Sequence, residues 1–286
     1  MLADESFTVS SGDIYADVDE EFHIIPFGDV HLGSESCDES RVDFMCDWIA
    51  KKKNVYVYGM GDYTDLARAH YRYAIETETA GATRDIMDRI YRQESDRFIK
   101  KLEPFKDRIL GLGEGNHRGI LKSGISTTQY MCDRLNTRYF GYMSYFLLNV
   151  KSRTKRRMTT QIVFLTHHGI GGNGRLAGAT INRVEKLERI AIADIYMMGH
   201  DHQKGVRPIS KFVTSSGNGT LKIKSKKQLL ITTGGFLKSY MPNMASYAVR
   251  SAYAPADLGC AKISITIRRD CSYKKDITSF DLHASV

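Results

Sequence analysis

Five short apolar runs in this chain each break into a polar group able to bind a metal or move a proton. Phe22-His-Ile-Ile-Pro-Phe27 gives way to Gly28-Asp29-Val-His31, and Asn54-Val-Tyr-Val-Tyr-Gly59 to Gly61-Asp62. Asp107-Arg-Ile-Leu-Gly-Leu112 leads to Gly113-Glu-Gly-Asn116-His117, a run near 160–166 to His167-His168-Gly169, and Ile195-Tyr-Met-Met198 to Gly199-His200-Asp-His202. A lone His-x-His is a weak sign, because two solvated loop histidines explain it as well. Five such endings in series are not, since strand termini gathered at one edge of an open α/β sheet share one crevice. Oxygen donors from Asp and Asn with imidazole nitrogens, and no thiolate, suit borderline metals such as Mn, Fe, Zn or Co. With one carboxylate bridging, such a set holds two metals about 3.5–4 Å apart. That pair carries a bridging hydroxide and clamps both oxygens of an in-line displacement at phosphorus.

The ordered set Asp29-x-His31, Gly61-Asp62, Gly115-Asn116-His117, a strand-end His and Gly199-His200-x-His202 resembles the calcineurin-like metallophosphoesterase superfamily, from Gly28 to His202. The resemblance implies an α/β fold, a four-layered αββα sandwich of two packed mixed β-sheets flanked by helices, with a dinuclear site at the strand ends. It makes Asp29, His31 and His202 ligands of one metal, Asn116, His167 and His200 ligands of the other, and Asp62 the bridge. It matches His117 to the histidine that contacts phosphate and serves as acid for the leaving group. His117 and Asp62 are the expected catalytic residues. The implied cofactors are two divalent ions, Mn²⁺ first, with Fe, Zn, Co and Ni as alternatives.

The chain departs from the family pattern in two places. Many members carry an acid after Gly-Asn-His, where this chain has Arg118. An acid there would favour protonated His117, whereas an Arg would disfavour it; Arg118 either contacts a phosphate or faces solvent. The second departure is the doublet His167-His168, where the first His matches the family ligand and His168 is expected behind it, toward substrate. Asp65 in Gly61-Asp-Tyr-Thr-Asp65 reads as a helix cap rather than a ligand.

For substrate, the segment Gly169-Ile-Gly-Gly-Asn-Gly-Arg175-Leu-Ala-Gly178 offers backbone amides and Arg175 to a phosphate, or is an ordinary loop. The following helix carries Asn182, Arg183, Lys186 and Arg189, with Arg183 a further candidate for substrate binding. This segment, with Gly234-Gly-Phe-Leu-Lys-Ser-Tyr240, resembles phage and prophage members of the superfamily. The net charge of +8 and pI of about 9.1 are compatible with a polyanion. Basic groups collect at 151–157, 222–227 and at Arg268, Arg269, Lys274 and Lys275, although charge runs are often only wet hairpin tips. The expected activity is therefore a phosphodiesterase or nuclease on nucleic acid, DNA before RNA. The alternatives are a phosphoesterase for a cyclic nucleotide or phosphomonoester, and a non-catalytic scaffold of the same fold.

The remaining pattern supplies the supports. Val42, Met45, Trp48 and Ile49 fall at helical spacing, and Ile86, Ile90, Phe98 and Leu102 line one face of a helix over 82–102. Residues 1–20 read as a tail or an edge strand, and from 206 onward the pattern is mainly strands forming a second sheet, within a single domain over 1–286. The chain has 286 residues, 42% of them apolar, enough for a sizeable core. No apolar run reaches the roughly 18 residues of a membrane span, and Met1-Leu-Ala-Asp-Glu-Ser lacks the order of a signal peptide, so a cytoplasmic protein is expected. The five cysteines are scattered, with no Cys-x-x-Cys, and read as reduced and not ligands.

Overall fold

Alternation of buried and exposed side chains builds the sheet. In the computed structural model, which describes residues 7–65, 81–154, 159–169, 177–217, 220–241, 249, 254–270 and 277–286, the strands follow the predicted runs closely. The elements are β1 (Phe7–Tyr15), β2 (Glu21–Phe27), α1 (Glu39–Lys51), β3 (Val55–Gly59), α2 (Gly81–Leu102), β4 (Ile109–Gly113), α3 (Thr127–Leu135), β5 (Tyr139–Gly141), β6 (Met143–Lys151), β7 (Thr159–His167), α4 (Ala177–Val184), β8 (Ile195–Met198), β9 (Lys204–Gly217), β10 (Thr220–Gly235), β11 (Gly259–Cys260), β12 (Lys262–Asp270) and β13 (Ile277–Ser285). Short 3-10 turns at Glu103–Arg108 and Glu185–Arg189 extend α2 and α4. Helix α1 starts on the Asp38 side chain, and α3 on a capping box in which Ser126 and Gln129 exchange bonds.

Hydrogen bonding runs unbroken in the order β11-β10-β8-β7-β6-β1-β5-β4-β3-β2-β12-β13, with β9 paired to β10. The run doubles back near β1 and β5. Ile24, Tyr58, Leu110, Ile263 and Ile265 from one half then pack against Phe146, Phe164, Ile195, Met197 and Ile231 from the other. The opposite face of β3 and β4 gives Val57 and Leu112 to a second core with α1, α2 and α3 through Val42, Phe98, Leu102 and Met131. Leu165, Tyr196 and Leu230 make a third core with Val184 and Leu187 of the α4 region. Three apolar interfaces separate four layers, the αββα arrangement.

Three expectations need correction. Residues 7–15 are not a tail but the edge-strand alternative: β1 pairs in parallel with nine residues of β6 and touches β5 at Phe7 alone. Its outward residues Phe7 and Val9 are 52% and 70% exposed, so the strand lacks the apolar signature of its neighbours. The late strands form no sheet of their own, because β12 pairs with β2 and β10 with β8, in opposite halves. On α2 the buried stripe is Tyr91, Phe98, Ile99 and Leu102, while Ile86 and Ile90 lie exposed in its first turns. Among the described residues no helix is long and apolar enough to cross a membrane. Cys37, Cys46, Cys132 and Cys260 are free thiols packed into the fold, and Cys271 lies outside the described residues.

Phe146 is fully buried where the two halves meet, its ring 5.2 Å from Phe140 and 5.9 Å from Tyr58. Phe146→Ala is expected to cost about 3–5 kcal/mol, read as a shift of the urea unfolding midpoint. A shift worth under about 1 kcal/mol would mean that the halves do not depend on this contact.

Candidate metal centre

The parallel strands of each half aim their C-terminal ends at one edge. Asp29 and His31 follow β2, Asp62 follows β3, Asn116 and His117 follow β4, His168 follows β7, and His200 and His202 follow β8. The backbone turns sharply there. Asp29, His31, Asp62, His200 and His202 all adopt left-handed φ, from 49° to 71°, and Asp19 and Asn136 are the other described non-glycine residues that do. Asp and His tolerate this region better than most residues, but each such residue still costs about 1–3 kcal/mol unless its surroundings impose it. Here they do. Asp29 N donates to Gly61 O at 2.9 Å, His31 N to Asp62 O at 2.9 Å, and His200 N to Asp29 Oδ2 at 2.9 Å. The glycines explain the close approach: a Cβ on Gly115 would lie 2.1 Å from Asp62 Oδ1, and one on Gly199 2.7 Å from Asp29 Oδ2.

The side chains gather in three overlapping groups: Asp29, His31 and His202; His31, Asp62 and His117; and Asp62, His168 and His200. His31 Nε2 stands 3.2 Å from His202 Nε2, and His202 Nε2 stands 3.4 Å from Asp29 Oδ1. Asn116 Oδ1 lies 2.9 Å from His168 Nε2 and 3.0 Å from His200 Nδ1. Asp62 Oδ1 accepts from His117 N at 2.7 Å. Asp62 Oδ2 is buried with no hydrogen bond among the described residues, yet stands 3.1 Å from His168 Nε2 and 3.7 Å from His31 Nε2. Ring nitrogens and carboxylate oxygens thus converge on common points instead of pairing off, as ligands around a cation do. The donor types, imidazole with oxygen, fit Mn, Fe, Zn or Co.

Electrostatics agree. Burial pushes the Asp62 carboxyl upward, but His168 and then His31 hold it well below the usual range. Asp29 is likewise lowered against its burial by the bond and charge of His202. Burial alone would lower His168, but Asp62 carries it to about 9. His168 Nδ1 lies 2.7 Å from the Met60 carbonyl, which fixes a proton on that nitrogen and leaves Nε2 for the cluster.

The two histidines of the doublet exchange their expected places. His168, not His167, enters the cluster, while His167 Nδ1 accepts from Gly169 N at 2.8 Å. The cause is strand alternation. Thr166 of β7 faces the layer between the two halves, touching Tyr58. Its even-numbered partner His168 continues that face, and His167 takes the other.

Asp65 is not a free helix cap. Its carboxylate reaches His117 Nδ1 at 2.9 Å and His31 Nδ1 at 3.4 Å, and these histidines hold its pKa below the usual range against its burial. The acid missing at position 118 is therefore supplied by Asp65, and its signal was its spacing of three from Asp62.

Arg118 neither faces open solvent nor stands alone. It stacks over the Tyr142 ring, 5.1 Å from the centroid, and bonds the Tyr142 hydroxyl. Arg183 is tied by an ion pair to the Asp201 carboxylate at 2.6 Å. Arg175 and most of the glycine-rich segment lie outside the described residues. The basic clusters are remote. Since β7, β8 and β10 run toward the centre and β12 runs away from it, the end of β6, the first half of β10 and the end of β12, which carry the described members of these clusters, lie toward the opposite edge. Four described members are ion-paired there: Lys151 with Asp13, Arg153 with Glu20, Arg268 with Asp19 and Asp281, and Lys226 with Asp194.

No protein family profile matches the chain, and no curated protein matches it by sequence. Among solved structures, the calcineurin-like phosphoesterase YfkN from Bacillus subtilis aligns over 92% of this chain and 90% of its own, at 7% identity and a TM-score of 0.36. A likeness so distant decides nothing about chemistry; the geometry of the site does.

His168→Ala is expected to weaken Mn²⁺ binding by calorimetry at least about tenfold, with His167→Ala close to wild type; the reverse order would return the ligand role to His167. A pH effect comes from the raised pKa. The folded pKa of His168, about 9, exceeds its reference value of 6.5, so its pairing with Asp62 stabilises the metal-free protein fully below 6.5 and is lost as pH rises through 9. Urea midpoints of the metal-free protein should fall over that window in wild type and stay flatter in His168→Ala.

Proposed function

We propose that this protein is a dinuclear metal-dependent phosphoesterase of the calcineurin-like metallophosphoesterase superfamily, and that its substrate is a phosphodiester of nucleic acid. The observation that carries the activity is the convergence of Asp29, His31, Asp62, Asn116, His168, His200 and His202 on one sheet edge, with Asp62 shared between two of the groups. Asp29, His31 and His202 would hold one cation and Asn116, His168 and His200 the other, with Asp62 placed between the two groups. Two divalent ions, Mn²⁺ by preference, supply Lewis acidity and activate water for in-line attack at phosphorus when bound.

The chain's own residues do the rest. Met60 O orients His168, and the His200 amide fixes Asp29. Asp65, ionised, accepts from His117 Nδ1 and so orients the ring with Nε2 free to serve the departing oxygen as proton donor. Arg118, anchored on Tyr142 beside His117, offers a cation to a substrate phosphate.

The nucleic-acid reading draws on the net charge of +8. A second reading, a small phosphoester, is favoured by the placement of the basic hairpins far from the centre and by their ion pairs. Hydrolysis with Mn²⁺ across single- and double-stranded DNA, RNA, cyclic nucleotides, bis-p-nitrophenyl phosphate and p-nitrophenyl phosphate separates them, with His200→Ala as control. Nucleic-acid cleavage that disappears in the variant, with binding that falls steeply with salt, is the expected result. Turnover of small esters alone would establish the second reading, and silence with metal bound would leave a scaffold.

Asp65→Asn is expected to lower kcat about 10²-fold on substrates with poor leaving groups and much less on p-nitrophenyl esters. An equal loss on both would remove Asp65 and His117 from leaving-group protonation.

A further inference from the structure

Asp201 lies between the two imidazoles of Gly199-His200-Asp201-His202. Its side chain is 3% exposed, and its partner is Arg183 of α4, at 2.6 Å. A carboxylate so buried is tolerated when it is paired, and the guanidinium pairs it. The flanking histidines serve different halves of the centre: His200 Nδ1 reaches Asn116 Oδ1, whereas His202 Nε2 stands against His31 and Asp29. Both have left-handed backbone, and Asp201 N closes on Gly199 O at 2.9 Å. In so tight a loop, any turn of the backbone at Asp201 moves the two rings together.

The helix that holds Asp201 is itself anchored. Val184 and Leu187 lie in the outer core against Tyr196 and Leu230, on the strands that frame the loop. The chain leaving β7 also crosses the same loop, since a Cβ on Gly169 would lie 2.6 Å from His200 Cβ. Helix α4, next in the described chain, delivers Arg183.

We propose that Arg183 and Asp201 form a positioning clamp that fixes the separation of the two halves of the metal centre, and that Arg183 acts through this loop rather than on substrate. The inference rests on the dinuclear reading above. Losing Arg183 leaves a buried carboxylate without compensation. A carboxylate so left turns away from its place against α4, and that movement releases the loop. Asp201→Asn keeps the size and an acceptor oxygen but removes the charge.

The test is Mn²⁺ titration by calorimetry, with electron paramagnetic resonance of the loaded protein, whose exchange-coupled signal depends on the distance and bridge between the two ions. Arg183→Met is expected to weaken the second Mn²⁺ equivalent about 10–100-fold and to diminish the coupled signal, and Arg183→Lys to recover most of both. Asp201→Asn is expected to lie between. Should Arg183→Met fail to fold, Asp201→Asn and Arg183→Lys carry the comparison, judged against their circular dichroism without metal. Unchanged affinity and an unchanged coupled spectrum in Arg183→Met and Asp201→Asn would overturn the clamp. So would a raised KM with an intact spectrum, which would return Arg183 to substrate. Wild-type protein that binds fewer than two Mn²⁺ would instead overturn the dinuclear reading itself, and that result is read without any variant.

Discussion

Two carboxylates without access to water, Asp29 and Asp62, govern how this edge of the molecule is built. A buried carboxylate is tolerated only when paired and hydrogen-bonded. His202 and His168 supply opposite charge, and backbone amides of His200 and His117 supply hydrogen bonds. To bring those amides in, the chain must turn within one or two residues of each strand end. The left-handed residues and the side-chain-free positions 115 and 199 are the consequence. The strain is local, but its support is not: it comes from three loops that hold one another and from the two sheet halves that fix where those loops begin.

That division explains what could be read from the sequence. The residue types that gather in the cluster, and their order, were legible, because each pair is local to one strand end and its chemistry is visible in the residue names. The layer arrangement was legible too, from strands alternating with helices early and strands alone later, and in the structure Val57 faces the helices and Tyr58 the other half. The choice between His167 and His168 was not. Facing depends on parity along β7, and a doublet at the strand end offers both parities. Asp65 was ambiguous for a different reason. Its partners His31 and His117 come from loops after β2 and β4, so its role exists only once those strands flank β3.

Position 118 shows how a departure from a motif can be absorbed. An Arg beside His117 would work against an imidazolium if no acid were near. With Asp65 on Nδ1, the histidine gains its carboxylate from the loop after β3, and position 118 is released from that duty. Arg118 turns instead to Tyr142, at the junction of β5 and β6. The residue that looked like a defect in the acid thus becomes a cation anchored beside it.

Charge obeys the same logic on a larger scale. Three basic runs suggested a polyanion track, yet the fold carries their described members toward the edge opposite the metal ligands. There the acidic segment around Asp13, Asp19 and Glu20 meets Lys151, Arg268 and Arg153. Pairs of this kind, mostly open to water, contribute little stability, but they do neutralise what would otherwise be a one-signed face. The positive character that matters to a phosphate is therefore not the net charge of the chain but what stands beside the cluster. Of the two arginines described there, Asp201 already engages Arg183, which leaves Arg118 as the cation poised next to His117. Among the described residues, a phosphate at this cluster would meet few side-chain cations, so ions held there would supply most of its attraction, and the loops that space the cluster would govern it.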